Sequence, residues 1–254
     1  MRGRADSLHC NRNRVPDVRI YPDPQQTAEA CAAQILEWLR EAIALRGVAS
    51  LAISGGTSPR AMFRCFALAS LPWEKVHLFW VDERCVPPDD PESNFKLAND
   101  TWLASAPVQP VIHRIVGELS PALAAERYTA DIRSIFATAS SEIGSDTEIR
   151  FDVVHRGMGA DSHTASLFPG SPLLGRSNGV ADATWVEKFH QWRVTLLPGI
   201  LEQARHTAML VTGEDKAPAL DAVLHGPVDL AVHPAQIAVN TAVWFCDAEA
   251  ARAR

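Results

Sequence analysis

The chain has 254 residues, of which 47% are hydrophobic, and its formal net charge at pH 7 is -6. This length and composition are typical of a globular protein with a sizeable core, and the acidic balance argues against nucleic acid as a general partner. No apolar run approaches the roughly 18 residues that a membrane-spanning helix requires, so we expect no membrane partner.

The five cysteines are scattered along the chain and form no C-x-x-C pair. An odd count with this spacing argues against a disulfide framework and against a zinc ribbon. A reducing compartment fits such a pattern best. We therefore predict a cytoplasmic protein with no metal site.

The first 17 residues are expected to form a disordered extension that precedes one domain over residues 18–254. This segment carries Arg2, Arg4, Arg12 and Arg14 but no apolar core, so it is not a secretory signal. An organelle-targeting peptide is the alternative interpretation.

Strand-like and helix-like segments alternate along the rest of the chain. Residues 18–21 predict a short strand, after which Asp23 caps a helix that has Pro24 at its first position and Gly47 beyond its end. The alternation predicts a single-domain α/β fold with a mostly parallel, doubly wound (Rossmann-like) sheet and helices on both faces. Further strands are predicted at 48–53, 75–81, 111–115, 151–155, 180–186, 193–196, 208–212 and 242–245, further helices at 59–69, 94–103, 121–138, 198–204, 216–224 and 248–253, and a polar loop at 140–148.

A loop of small residues follows the strand at 48–53 and leads into a helix. Its glycines let the backbone approach a ligand closely, and the free N–H groups of the helix start suit a phosphate. The loop lacks the Walker lysine and the dinucleotide G-x-G-x-x-G, so a simple tight turn stays open beside an anion site. Its residues are Ser54, Gly55, Gly56, Thr57 and Ser58.

Three cationic side chains lie at or near strand ends, where charges are commonly just solvated. Arg84 follows the strand at 75–81 in the run Asp82-Glu83-Arg84, and its planar fork suits phosphate or carboxylate oxygens. If Arg84 binds such an anion, we expect Asp82 or Glu83 to orient its guanidinium. Arg193 and Lys216 lie in or after later strands and, together with the small-residue loop, could close around a dianion.

The most informative stretch begins Gly157-Met158-Gly159-Ala160-Asp161-Ser162-His163 and follows a buried strand. Loops at the carboxyl ends of parallel strands are where open α/β sheets place their sites. Asp161, two residues before His163, can orient the imidazole as a general base, although a single histidine is more often structural. Neither a metal-binding histidine motif nor a G-x-S-x-G elbow is present.

Taken in order, these segments resemble the glucosamine-6-phosphate isomerase/6-phosphogluconolactonase superfamily, and the lactonases within it, from about residue 18 onward. The carriers are several separate motifs in the same order, which together are more specific than any one of them. They are Ser54–Pro59, Trp80–Arg84, Ser93–Phe95, Gly157–Pro169, Arg193–Thr195 and Gly213–Ala217.

The resemblance implies hydrolysis of 6-phosphogluconolactone without cofactor or metal, in the pentose phosphate pathway. His163 takes a proton from water and Asp161 holds its ring. Arg193, Lys216 and the Ser54–Ser58 loop hold the 6-phosphate, with Arg84 over the sugar or phosphate. The partner is then a small sugar phosphate, and the oligomeric state stays open.

Two alternatives remain at this point. The deaminases of the superfamily continue after the histidine with a segment that supplies a glutamate, whereas this chain continues Thr164-Ala165-Ser166 without a carboxylate. The family pattern also has glycine where this chain has Ser162, and serine is strained there if the backbone φ is positive. A weakened enzyme or a sugar-phosphate binder without turnover is therefore the other alternative.

Overall fold

The structure is a computed structural model that describes residues 15–143, 149–176 and 178–252, and of residues 138–143 only the backbone. The predicted extension over residues 1–17 thus falls largely outside the described residues, and the first strand begins at Asp17. Over the described ranges no helix is long and apolar enough to cross a membrane.

The first helix begins and ends at the residues that the sequence predicts. Asp23 accepts a hydrogen bond from the backbone N–H of Gln26, and Gly47 ends the helix in the left-handed conformation with φ 78°, which glycine adopts without strain. The helices are α1 Pro24–Arg46, α2 Pro59–Leu68, α3 Asn94–Thr101, α4 Pro121–Ile143, α5 Pro198–Glu202 and α6 Ala217–His225.

The strands of the described residues are β1 Asp17–Tyr21, β2 Ala49–Ile53, β3 Val76–Trp80, β4 Asp82–Arg84, β5 Val111–His113, β6 Val153–Gly157, β7 Ala181–Val186, β8 Gln191–Leu196, β9 His206–Val211 and β10 Ala242–Asp247. Seven of them form the central sheet in the order β1-β10-β9-β6-β2-β3-β5, and all their pairings are parallel. The neighbours of β2 are β3 on one side and β6 on the other, so the connections diverge at β2. Open α/β sheets bind ligands at such a point.

Helices cover both faces of this sheet. Trp38 of α1 stacks on His206 of β9 with ring centroids 4.7 Å apart, and Phe136 of α4 contacts Phe79 of β3. His206 aligns across the sheet with Val153 of β6, whereas Phe79 aligns with the next residue of β6. Successive residues of a strand point to opposite faces, so α1 and α4 lie on opposite sides. The mostly parallel, doubly wound α/β prediction is confirmed.

A second sheet has three antiparallel strands in the order β4-β8-β7. It grows from the end of β3, because β4 begins two residues after Trp80 and pairs with β8. A separate strand at residues 82–84 is not predicted from the sequence, in which these residues form the charged end of the preceding strand. This small sheet holds Arg84 and Arg193 opposite each other, since the two residues are register partners.

One predicted helix end and one predicted helix are wrong. The helix α4 extends to Ile143 instead of ending at residue 138, so the predicted loop begins no earlier than residue 144, outside the described residues. Residues 248–251 form a turn and not a helix. The carboxylate of Asp247 accepts the N–H groups of Gly213 and Ala250, and the chain turns around that carboxylate directly after β10.

Candidate active site

Three neighbouring strands, β9, β6 and β2, end at one edge of the sheet and bring their following loops together. The loops surround a cavity of about 200 Å³. Nine of the ten predicted site residues line it, and the tenth, Asp161, lies behind His163. The nine are Ser54, Gly55, Gly56, Thr57, Ser58, Arg84, His163, Arg193 and Lys216.

The imidazole of His163 is held by a carboxylate. Its Nδ1 lies 2.5 Å from Oδ1 of Asp161, and the second oxygen of Asp161 accepts a hydrogen bond from Nζ of Lys188 at 2.9 Å. Burial of the carboxyl opposes ionisation, but the hydrogen bonds from His163 and Lys188 outweigh it and keep the pKa of Asp161 well below its usual range. The ionised carboxylate fixes the proton of His163 on Nδ1 and leaves Nε2 as the basic nitrogen.

Two neighbours fix the plane of this ring. Phe168 stacks on the imidazole of His163 with centroids 4.1 Å apart. Gly159 is so close to the same ring that a Cβ there would overlap Nδ1 and Cε1. The backbone N–H of Gly159 also donates to the carbonyl oxygen of His163 at 2.9 Å. The imidazole therefore has little freedom to rotate away from Asp161.

Ser162, between the carboxylate and the imidazole, has φ 65° and is 2% exposed. Ser162 therefore has the left-handed conformation that glycine adopts freely, and for a non-glycine residue it costs on the order of 1 kcal/mol. Ala165, two residues after His163, is also left-handed with φ 51°. Strained residues of this kind concentrate at functional sites.

The small-residue loop lies against the first turn of α2. Gly56 has φ 102°, and a Cβ at Gly55 would overlap the side chain of Asn94, so both glycines are required by the geometry. Ser58 shares a hydrogen bond of 2.8 Å with Thr212 in the loop after β9. Ser58 forms no side-chain cap at the start of α2, where Pro59 has no N–H group and the N–H of Arg60 donates to the carbonyl oxygen of Thr57 at 3.4 Å.

The cationic side of the cavity comes from three elements. Arg193 in β8 is only 6% exposed, and its buried Nε finds no hydrogen-bond partner within the described part of the chain. Burial lowers the pKa of Arg193, attraction by Asp82 opposes this, and repulsion by the adjacent Arg84 adds to it. Lys216, just before α6, lies 2.7 Å from Asp215. A negatively charged ligand would relieve the repulsion between the two arginines.

Residues 22–244 match the family described as glucosamine-6-phosphate isomerases/6-phosphogluconolactonase. The chain belongs to this family. It is 31% identical over 240 residues to the 6-phosphogluconolactonase of a Synechocystis strain, a match that covers 93% of this chain and 97% of that protein. The 6-phosphogluconolactonase of a Nostoc strain is 32% identical, with 92% and 96% covered. The solved 6-phosphogluconolactonase from Trypanosoma cruzi aligns with a TM-score of 0.80 at 25% identity, with 93% and 96% covered.

One predicted role within the site is wrong. Neither Asp82 nor Glu83 orients Arg84, whose guanidinium instead donates to the backbone carbonyl of Glu92. Glu83 is buried and accepts backbone N–H bonds from Arg84, Asn94 and Phe95 at 2.7–2.8 Å. Burial raises the pKa of Glu83, and these hydrogen bonds partly offset that effect. Glu83 therefore anchors the start of α3.

Two residues of the site carried no recognisable signal in the sequence. Lys188 is 27 residues from Asp161 along the chain, in the 3₁₀ turn Glu187–Phe189 that joins β7 to β8. His155 lines the cavity and accepts the N–H of Ser54 at 3.4 Å, and burial lowers its pKa to about 3, so the ring is neutral.

Asp82, which the sequence predicts only as a partner of Arg84, has a different place. It lines the cavity and accepts the hydroxyl of Ser166 at 2.7 Å.

Proposed function

We propose that this chain hydrolyses 6-phospho-D-glucono-1,5-lactone to 6-phospho-D-gluconate. The observation that carries the proposal is that an imidazole oriented by a carboxylate and a group of cations face one cavity, and that the curated relatives bear the name 6-phosphogluconolactonase. The chain is then an enzyme of sugar-phosphate metabolism, a carboxylic ester hydrolase acting on a lactone.

The general base of the reaction is His163. Its Nδ1 is occupied by Asp161, so Nε2 accepts a proton from a water molecule as the water attacks the lactone carbonyl carbon. The carbonyl electrons move to oxygen, and the intermediate then expels the ring oxygen, which takes the proton back from the imidazolium. Asp161 stabilises that cation without being protonated itself. A well-placed base accelerates such a step by about 10²- to 10⁴-fold.

The phosphate of the substrate lies among Arg193, Lys216 and the Ser54–Ser58 loop, with Arg84 over the sugar or phosphate. Support comes from the buried Arg193, whose Nε has no partner among the described residues, and from its pairing with Arg84, since neither arginine forms a salt bridge within that part of the chain. The start of α2, which has no side-chain cap, lies at the same cavity. Holding the phosphate here sets the lactone against His163, and such positioning can supply several kcal/mol of the barrier. No part of this reaction requires a metal or a cofactor.

The deaminase alternative requires a carboxylate just after the histidine. Here Thr164 donates its hydroxyl to the carbonyl of Gly157 and Ser166 donates its hydroxyl to Asp82. The segment is thus used for internal hydrogen bonds and supplies no acidic group of its own. This difference favours the lactonase over the isomerase.

The deciding experiment follows freshly made 6-phosphogluconolactone, with the spontaneous reaction subtracted. We expect the protein to raise the rate, His163→Ala to remove turnover, and the same variant to bind 6-phosphogluconate as tightly as the unaltered protein does. Loss of binding equal to the loss of turnover would contradict the role of His163 as base. Ammonia from glucosamine 6-phosphate would indicate the deaminase, and binding without turnover a sugar-phosphate sensor.

The location and partners follow from the same proposal. The four cysteines among the described residues are free, which fits a reducing cytoplasm. The partner is a small sugar phosphate and not a nucleic acid or a membrane, and residues 18–254 act as one domain. Fractionation of cells and limited proteolysis test these two points.

A further inference from the structure

Ser162 lies between the two residues that would carry the chemistry and depends on a distant part of the chain. Its hydroxyl oxygen lies 3.0 Å from Nδ1 of His233, and its carbonyl oxygen accepts the N–H of Ala235 at 2.9 Å. The contact with His233 joins residues 71 positions apart. The active-site turn is therefore fastened to residues 233–235, which do not line the cavity.

That distant segment is itself firmly held. The N–H of His233 donates to the carbonyl of Asp229 at 2.8 Å, and the carbonyl of His233 accepts the N–H of Gln236 at 3.0 Å. Gln236 is 5% exposed, and its side chain donates to the carbonyl of Pro227 and accepts the N–H of Asp229. The imidazole of His233 is thus presented to Ser162 from a rigid support.

The need for such a support follows from the backbone. A serine with φ 65° is less stable than a glycine would be, and a small rotation at Ser162 would move both the carboxylate before it and the imidazole after it. A glycine lacks the CH2OH side chain of Ser162, and the hydroxyl of that side chain is the group that contacts His233.

We propose that His233 is a positioning residue of the active site, which holds Ser162 in the left-handed conformation and thereby keeps Asp161 and His163 aligned. His233 does not line the cavity and acts only through Ser162. The proposal rests on the function proposed above for its kinetic readout.

The first test compares three variants with the unaltered enzyme. We expect His233→Ala to lower kcat about tenfold, because a displacement of 1 Å at a reacting group can cost about 100-fold, and to leave KM within about twofold. His233→Asn should keep most of the activity, since its amide can still hydrogen-bond the Ser162 hydroxyl. His225→Ala is the control, because that exposed histidine contacts the exposed Asp221 four residues earlier in α6.

The second test is a double-mutant cycle with Ser162→Gly. Glycine adopts the positive φ unaided, so Ser162→Gly should maintain or raise activity, and Ser162→Gly/His233→Ala should match Ser162→Gly alone. Two results would overturn the proposal: an unchanged kcat in His233→Ala, or an equal loss from His233→Ala in both backgrounds. The second result would mean that His233 acts by another route or only stabilises the fold.

A third readout needs no turnover and separates this proposal from the function. The imidazole ¹⁵N resonances of His163 should shift in His233→Ala and return in Ser162→Gly/His233→Ala. If the unaltered protein failed to hydrolyse the lactone but these shifts appeared, the proposed function would fail and the positioning role would stand. Resonances that were the same in all three forms would refute the positioning role.

Discussion

A single methyl group added at Gly159 should lower kcat strongly while leaving the binding of the substrate phosphate unchanged. A Cβ at this position would overlap Nδ1 and Cε1 of His163 and lie 2.6 Å from Oδ1 of Asp161, whereas nonbonded carbon atoms prefer about 3.5–4.0 Å. Gly159 is not among the residues with positive φ, so Gly159→Ala imposes no backbone strain. Its effect comes only from the displaced pair.

The magnitude follows from that overlap. Relieving it requires a movement of the ring or carboxylate on the order of 1 Å, which can lower the rate by about 100-fold. We expect kcat to fall by roughly that factor and KM for the lactone to stay within about twofold. Overpacking should also lower the free energy of unfolding by about 1–3 kcal/mol.

The assay is initial-rate hydrolysis with the spontaneous reaction subtracted, paired with urea unfolding. Gly175→Ala is the matched control, because no atom lies within 4 Å of a Cβ built there. A Gly159→Ala enzyme with unaltered kcat would show that the His163–Asp161 contact is not needed for the reaction. A KM raised as much as kcat is lowered would place the damage in the phosphate site instead.

Three further predictions concern charges. Lys216→Ala should raise KM about tenfold or more, because hydrogen bonds to charged groups are worth about 1.5–3 kcal/mol. The control is Lys75→Ala, since Lys75 is exposed just before the first residue of β3. An unchanged KM in Lys216→Ala would remove Lys216 from the phosphate site. Lys188→Ala should lower kcat about two- to fivefold, as expected for an exposed ion pair, and should leave the thermal unfolding temperature unchanged. An unchanged kcat would show that the contact between Lys188 and Asp161 does not contribute to the reaction. Burial lowers the pKa of His155 to about 3, from about 6.5 in the unfolded chain. At pH 5 the folded protein therefore binds fewer protons than the unfolded chain does, and the free energy of unfolding should be about 2 kcal/mol lower at pH 5 than at pH 7. A His155→Gln protein with the same pH dependence would contradict this.

Much of the fold could be predicted because its determinants are local in the sequence. The cap at Asp23, the glycine after α1 and the apolar strands of the parallel sheet each depend on residues close together in the chain. The positions of His163 and Lys216 at one cavity follow from a general property of parallel sheets, whose strand ends share one edge, whereas Arg193 reaches the cavity from β8 of the antiparallel sheet.

The rest depends on contacts between distant residues. Nothing near Lys188 in the sequence indicates that it reaches Asp161, and nothing near His233 indicates that it reaches Ser162. The turn after β10 forms because the carboxylate of Asp247 also accepts an N–H from the loop after β9, so tertiary structure overrides the helical preference of that segment.

Lys188 and Arg193 belong to one hairpin, the former in the turn between β7 and β8 and the latter five residues further on. A phosphate that binds Arg193 therefore contacts the same hairpin whose Lys188 holds the carboxylate of Asp161. Lactones without a phosphate should show a lower kcat as well as a higher KM, because binding energy at the phosphate end of the substrate is used to order the groups at the lactone end.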